Sequence, residues 1–274
     1  MAKINLDKYY TPSDLAEYCV KKTKEIIGEE NITEWLEPSA GAGVFLPYLD
    51  NNYLAFDIEP ASDTSDKIEQ KDYLKLDLPY FKGRCVIGNP PYGRVMNLAV
   101  KFFKMAITQA DYVSFILPVS QYDNSFRLFE FDLVYSEVLE DTKYSGKNVK
   151  CCLNIYKRPS GLLNKNPNYD LKDVEIKEGI RGSEKRQRIV TKENFNYDIA
   201  ICAWGSSCGK EIDYEGQYAQ ELYLKCNNLE HKEEVVELIK NAKWDEIYPM
   251  LLNSHKIQKW KVYKYLREQI PQLV

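Results

Sequence analysis

Asn89-Pro90-Pro91-Tyr92 stands directly behind the apolar run Cys85-Val86-Ile87-Gly88, and its residue types suit the capture of an aromatic amine. The lone pair of such an amine, adenine N6 for example, is delocalised into the ring, so the nitrogen is a weak nucleophile. Two acceptors aimed at its hydrogens can hold it and let it pyramidalise. The Asn89 side-chain oxygen and the Pro90 backbone carbonyl can supply them. Two prolines keep the loop stiff, so the acceptors are in place before the ligand arrives. Tyr92 offers a ring face on which a base can stack, worth ~1–3 kcal/mol. A base must leave a duplex for its edge to be reached. The same tetrapeptide would also serve as a Pro-Pro turn capping a strand, so partners elsewhere in the chain decide between the readings.

Those partners come earlier. Glu37-Pro38-Ser39-Ala40-Gly41-Ala42-Gly43 follows the first apolar segment. Its small residues let the backbone approach a ligand closely and allow a tight strand-to-helix turn. A Gly-rich turn alone is weak evidence. Asp57 ends the next apolar segment, where dinucleotide folds place a ribose-binding acid, and Ile58 and Glu59 follow it. Asp72 lies at a third segment end, where a carboxylate could accept from an adenine amine. Each acid alone reads equally well as a solvated strand end. Their serial placement argues for one ligand lying across them.

The intervening elements can position these groups. TPSDLAEYCVKKTKEIIG reads as a helix, with Thr11 as N-cap, Pro12 at the first helical position and Asp14 as capping-box acid. ITEWLEPSA, YLAFDIEP, KDYLKLDLP, RCVIG and DYVSFILP read as strands, with a helical stretch before KDYL. NLAVKFFKMAITQA and QYDNSFRLFEF read as helices. LVYSEVLEDTKY and NVKCCLNIYKR read as strands able to pair antiparallel. Strands alternating with helices predict an α/β fold with a doubly wound, Rossmann-like sheet. Ligands of such sheets sit outside the carboxyl ends of the strands, and every cluster named above falls at such an end.

The texture changes near Pro159, where RPSGLLNKNPNYD reads as a linker. The division expected is residues 1–158 as a catalytic domain and 159–274 as a small α+β region for substrate binding or target recognition. In that region YDIAICAWG and YAQELYLKC are β-like, and residues 230–241 and 257–270 are helical. Lys177, Arg181, Lys185, Arg186, Arg188 and Lys192 cluster with Gly179 and Gly182. A loop tracking phosphates and a solvated loop fit that cluster equally. Trp204-Gly205-Ser206-Ser207 reads better as a turn than as a base-contacting loop. Lys256, Lys259, Lys261, Lys264 and Arg267 form a second basic stretch that reads as a solvated helix face.

EPSAGAG, FDIE, KDYL and IGNPPY, in that order, resemble the cofactor and catalytic motifs of N6-adenine DNA methyltransferases that use S-adenosylmethionine (AdoMet). Tyr10-Thr11-Pro12 resembles the N-terminal element of their gamma class, in which target recognition follows the catalytic tetrapeptide. The resemblance covers about Lys8 to Arg158 and implies a seven-stranded sheet whose last pair includes an antiparallel strand. It implies AdoMet contacts from Tyr10, Thr11, Pro12, Glu37, Pro38, Ala40, Gly41, Gly43, Asp57, Ile58 and Asp72. It assigns the catalytic loop to Asn89, Pro90, Pro91 and Tyr92, and makes Tyr144 the aromatic on the other face of a flipped adenine. Lys185, Arg186 and Arg188 would contact the nucleic acid. The reaction implied is direct in-line methyl transfer to N6 in duplex DNA, of the kind used in restriction–modification. RNA adenine and a protein glutamine amide are the rival substrates, since NPPY occurs there too. A non-catalytic nucleic-acid-binding subunit that keeps this fold is the rival of a different class.

Composition sets the remaining bounds. The 274 residues suffice for one large or two modest domains. Neither an N-terminal apolar leader nor a membrane-length apolar stretch is present, so a cytoplasmic protein is expected. Seven cysteines with scattered spacing and two distant histidines argue against a disulfide framework and against a metal site. The net charge of −4 counts mildly against nucleic acid, although a local basic stripe can coexist with an acidic total.

Overall fold

The computed structural model describes residues 11–61, 67–124, 126–139, 143–144, 147–148, 150–182, 187–248 and 256–274. The chain divides into two units, residues 1–167 and 168–274. Residues 159–167, placed with the second region on sequence grounds, thus fall in the first unit.

The first unit is built on a seven-stranded sheet. In chain order its strands are β1 (Glu34–Glu37), β2 (Tyr53–Asp57), β3 (Glu69–Gln70), β4 (Arg84–Gly88), β5 (Tyr112–Pro118), β6 (Asp132–Val138) and β9 (Cys151–Lys157). Their spatial order is β3-β2-β1-β4-β5-β9-β6. The first five pair in parallel, and β9 runs antiparallel to both neighbours. This is the doubly wound, Rossmann-like α/β sheet expected, with its antiparallel strand in the last pair. A two-stranded hairpin, β7 (Lys143–Tyr144) with β8 (Lys147–Asn148), lies between β6 and β9 in sequence.

Strands of a parallel sheet are covered on both faces and so read as continuous apolar runs. Their side chains still alternate. Trp35, Cys85, Ile87 and Ile116 pack into one core with helix α1 (Ser13–Ile27). Leu36, Val86, Phe115 and Leu117 pack into the other with helix α2 (Asn97–Gln109). Helix α1 presents Ala16, Cys19, Val20, Thr23 and Ile27, the spacing of a single apolar stripe. At the amino ends of the strands, buried Arg84 pairs with Glu34 at 2.5 Å and donates to the carbonyls of Pro79 and Gln109. That clamp sits at the opposite end of the sheet from the clusters named above.

Several sequence expectations need correction. Pro12, not Thr11, occupies the N-cap of α1, and no side chain caps it. KDYLKLDLP is not a strand. The strand is the preceding Glu69–Gln70, and Tyr73–Lys75 forms a 3-10 turn capped by the Asp72 side chain, which accepts from Leu74 N. The described residues of QYDNSFRLFEF form no α-helix, and only Gln121 is helical, at the end of the 3-10 turn Val119–Gln121. Asp123 adopts φ 45° and the Asn124 side chain accepts from Phe126 N, the local competition with helix that Asp and Asn offer. Part of the stretch expected to be helical before KDYL, residues 62–66, lies outside the described residues.

The second unit contains an antiparallel sheet of order β10-β12-β11, with β10 at Val174–Ile180, β11 at Ile199–Cys202 and β12 at Gln220–Cys226. Helices at Lys232–Asn241 and Lys259–Gln269 match the two expected there. The basic cluster is partly strand, because Lys177 and Gly179 belong to β10. Lys261 is not on a solvated face; it is buried, with its ammonium over the Tyr248 ring. All seven cysteines are free thiols, and all but Cys208 are buried.

Candidate active site at the carboxyl ends of the strands

In the order β3-β2-β1-β4-β5 the chain winds one way from β1 and resumes on the other side at β4. Such reversals leave a crevice between neighbouring loops at the carboxyl edge. Here the two loops are Pro38–Gly43 after β1 and Asn89–Tyr92 after β4. They meet directly. A Cβ on Gly88 would lie 3.6 Å from Glu37 Cγ and 3.8 Å from Pro38 Cδ. The Ser39 hydroxyl donates to the Asn89 carbonyl at 3.4 Å. Asp57 at the end of β2 continues the row.

The loop after β1 is tied down by its backbone. Ala40 N donates to Phe56 O, Gly43 N to Ala40 O and Ala61 N to Gly41 O. Gly41 and Gly43 have φ of 55° and 68°, the left-handed region in which a side chain is strained. The space around them differs. A Cβ on Gly43 would press on Leu46 and Ile68, whereas one on Gly41 would meet nothing within 4 Å among the described residues. Gly43 therefore serves packing, and Gly41 borders open space.

Glu37 carries the least comfortable charge in the site. It is 2 % exposed, and its Oε2 has no hydrogen-bond partner among the described residues. Burial pushes its carboxyl well above the ordinary range, and the nearby Asp57 pushes it further. An unpaired buried carboxylate is costly unless a cation comes to meet it. Asp57 is better provided: Oδ2 accepts from Gly41 N and Oδ1 from Glu59 N, each at 2.7 Å. Each oxygen keeps a lone pair for a further donor. Exposed Ile58 adjoins it. Asp72 is engaged locally, with Lys75 at 3.0 Å besides the Leu74 amide.

On the other side of the crevice, half-buried Asn89 donates from Nδ2 to Thr11 Oγ1 at 3.2 Å. Among the described residues nothing donates to Asn89 Oδ1 or to the Pro90 carbonyl. Both acceptors expected from the tetrapeptide are therefore free of protein donors there. Tyr92 is half-buried, packs against both cores, and brings its hydroxyl to 3.5 Å from Cys151 Sγ. Its carbonyl accepts from Leu98 N.

The segment behind Tyr92 is strained. Val95 and Met96 adopt φ of 53° and 64°, and Val95 is 74 % exposed. A β-branched residue in that region is a rare outlier. Arg127 holds the segment, donating to the Val95 carbonyl and, at 2.9 Å, to Asn97 Oδ1.

The fold thus brings together Thr11, Glu37, Pro38, Ala40, Gly41, Gly43, Asp57, Asn89, Pro90 and Tyr92. Pro12 opens α1 beside Thr11. Tyr10, Lys185 and Arg186 lie outside the described residues, as does the side chain of Tyr144, whose backbone belongs to β7. Arg188 in the second unit is exposed and pairs with Glu178 at 3.3 Å. Arg181 donates to the Gly216 carbonyl, and the Lys192 ammonium lies over the Tyr197 ring. Trp204 is half-exposed and pairs its backbone with Lys256. The sequence reading missed Ser39, Arg127 and the strained Val95-Met96 pair. Ser39, inside the Gly-rich turn, was the one with a signal to follow. Among the described residues no group of three or more His, Cys, Asp or Glu side chains could hold a metal ion, and no helix is long and apolar enough to cross a membrane.

No family model matches this chain, and no curated protein does. Solved structures with a similar arrangement include a candidate class I S-adenosylmethionine-dependent methyltransferase from Listeria monocytogenes. It is 14 % identical, with 61 % of this chain and 65 % of that one covered and a TM-score of 0.46. A candidate RNA methyltransferase from Pyrococcus horikoshii is 16 % identical over 58 % of this chain and 90 % of that one, with a TM-score of 0.44. The M protein of the type I restriction enzyme EcoKI is 15 % identical over 59 % and 47 %, with a TM-score of 0.41. All three scores lie below 0.5, so the functional reading rests on strand order and site geometry.

Proposed function

We propose that this protein is an AdoMet-dependent methyltransferase acting on the N6 amine of adenine in DNA. One observation carries the reading. At the switch point of a doubly wound sheet, the Asn89 amide oxygen and the Pro90 carbonyl have no donors among the described residues and lie near a buried Glu37 carboxyl whose Oε2 has no hydrogen-bond partner among them.

The residues present fit the cofactor. Glu37 Oε2 would take its ammonium, the cation that a buried carboxyl needs beside it to ionise. The open side of Gly41 allows close approach of the backbone. The remaining lone pairs of Asp57 suit a ribose diol, with Ile58 against the base. Pro38 and Ala40 supply the small walls of the turn. Asp72 stays with its own turn and is a weaker contact. AdoMet, when bound, supplies an electrophilic methyl group. The chain's own part is to present the amine. Asn89 Oδ1 and the Pro90 carbonyl accept its two hydrogens, which localises the nitrogen lone pair and fixes its direction. Pro91 keeps the loop stiff, and Tyr92 offers a face to the flipped base. No covalent enzyme intermediate is required. The second unit, with Arg188, is the part of the chain proposed to contact nucleic acid, and the division between catalysis and target binding follows the two units.

The test is transfer of label from AdoMet to unmethylated duplex DNA, RNA and total protein in parallel, followed by nucleoside mass spectrometry. N6-methyladenine in DNA is the expected result. Label confined to RNA or protein would overturn the substrate assignment while keeping the pocket. Absence of AdoMet binding in calorimetry would overturn the enzyme reading and favour a non-catalytic binding subunit.

A further inference from the structure

Two neighbouring residues of the turn behind Tyr92 are left-handed, and packing compensates only one of them. Met96, at φ 64°, is buried in the core under α2 with Leu36, Val86 and Phe103. Val95, at φ 53°, is 74 % exposed and belongs to neither core of the first unit. Glycine adopts such a conformation freely, and the same turn uses one at position 93, where φ is 65°. A turn that only had to close would be less strained with glycine at position 95 too. Strain of this kind gathers at active sites and ligand clamps.

The turn also displays Val95 rigidly. Arg127, from the loop after β5, donates to the Val95 carbonyl and to Asn97 Oδ1. Leu98 N and Ala99 N both donate to the Tyr92 carbonyl, which closes the turn on the start of α2. Val95 stands three residues beyond Tyr92, a reach along the chain of at most ~11 Å. No acid occurs from Gly93 to Asn97, and exposed Arg94 directly precedes Val95. An exposed apolar side chain thus sits between an arginine next to it in sequence and an arginine bound to its own carbonyl. That combination suits a nucleic acid, whose phosphates attract the cations and whose stacked bases admit an apolar wedge.

We propose that Val95 is the wedge that enters the base stack as the target adenine leaves it. Extruding a base breaks its stacking on both neighbours. An apolar side chain inserted between those neighbours replaces part of the lost contact and holds the gap open. The inference rests on the reading of Tyr92 as the receiver of a flipped adenine, and it adds the residue that acts on the duplex left behind. Val95 is a positioning residue in this role, since it touches neither the amine nor the methyl group.

The test uses the full chain and the duplex site that wild-type protein methylates, located by sequencing its methylated DNA. With 2-aminopurine in place of the target adenine, fluorescence rises as the base unstacks, and no methyl transfer is needed. Val95→Ala is expected to lower the flipping equilibrium roughly 10-fold, the scale of two apolar carbons no longer buried. Val95→Ile is expected to keep the wild-type rise. On the ordinary duplex, kcat/KM of Val95→Ala should fall by a similar factor with AdoMet affinity unchanged. Val95→Gly should lose flipping as Val95→Ala does and yet melt higher than wild type, a combination that loss of an internal contact does not give. A duplex with the target adenine mispaired is the control, because a mispaired base leaves the stack more easily; there the loss in Val95→Ala should be much smaller. An unchanged 2-aminopurine signal in Val95→Ala would overturn the inference. So would an equal loss on paired and mispaired targets, or a Val95→Gly variant that melts lower than wild type. Failure of the functional reading shows separately, as wild-type protein that forms no N6-methyladenine in DNA, and it would remove the wedge as well.

Discussion

Glu37→Gln tests the site without any knowledge of the substrate. The Glu37 carboxyl is buried, with one oxygen unpartnered among the described residues, and burial first and Asp57 second raise its pKa. The native state therefore holds this proton more tightly than the unfolded chain, whose carboxylates titrate near ~4.3. The stabilising effect of that protonation is fully present below the unfolded pKa. It is lost as pH rises from there through the folded pKa, at about 1.4 kcal/mol per pH unit inside the window. Gln cannot titrate, so the variant lacks this decline. At pH 4 the variant should be no more stable than wild type, because its buried amide is itself incompletely bonded, worth ~1–3 kcal/mol. Up to the folded pKa, each pH unit above that should move the difference between the melting temperatures by about 3–6 °C in favour of the variant, on the scale of a 150–250-residue unit. Binding should move the other way. Loss of one partner of a buried charge pair costs about 2–5 kcal/mol, so the Kd for AdoMet should rise roughly 30-fold or more. Calorimetric melting from pH 4 to 8 and titration with AdoMet read the two arms. Melting curves that run parallel with pH, or an unchanged Kd, would refute the assignment of Glu37 as the counter-charge.

Other perturbations isolate other parts of the structure. Asn89→Ala should abolish methyl transfer, by at least about 100-fold on the scale of a lost transition-state hydrogen bond, while AdoMet titration stays near wild type; normal turnover would sink the catalytic assignment. Arg84→Ala removes one half of a buried ion pair and leaves Glu34 behind. It should cost about 3–5 kcal/mol, read as a lower melting temperature with AdoMet still bound by the fraction that remains folded. Val95→Gly should raise the melting temperature by a few degrees. The left-handed valine stores roughly 1–3 kcal/mol, and glycine returns only about 0.5–1 of it through chain entropy. A lower melting temperature would show that the strain is offset by contacts of the Val95 side chain.

The sheet was legible because its causes are local. Apolar runs of strand length, separated by a helix stripe of spacing 16, 19, 20, 23 and 27, specify parallel strands covered on both faces. Errors arose where a short polar side chain competes for the backbone. Asp72 turned an expected strand into a capped 3-10 turn, and Asp123 and Asn124 kept an expected helix from forming. Lys261 misled for another reason. A lysine among lysines reads as solvated, but its burial beside Tyr248 depends on what packs over the helix. The candidate site divides in the same way. Motif residues at strand ends could be named individually, since the chain direction alone places them at one edge.

The sequence by itself determined the alternation of elements and the edge at which the unusual residues gather, and it suggested the amine-holding chemistry proposed for Asn89 and Pro90. All of these follow from residue type and short-range spacing. The tertiary structure alone decided that Glu37 Oε2 lies buried without a hydrogen-bond partner among the described residues, that Gly41 has none of them close by while Gly43 is packed, and that Thr11 meets Asn89. Burial, free volume and contacts across 78 positions are properties of how the layers close upon one another, and no local pattern encodes them.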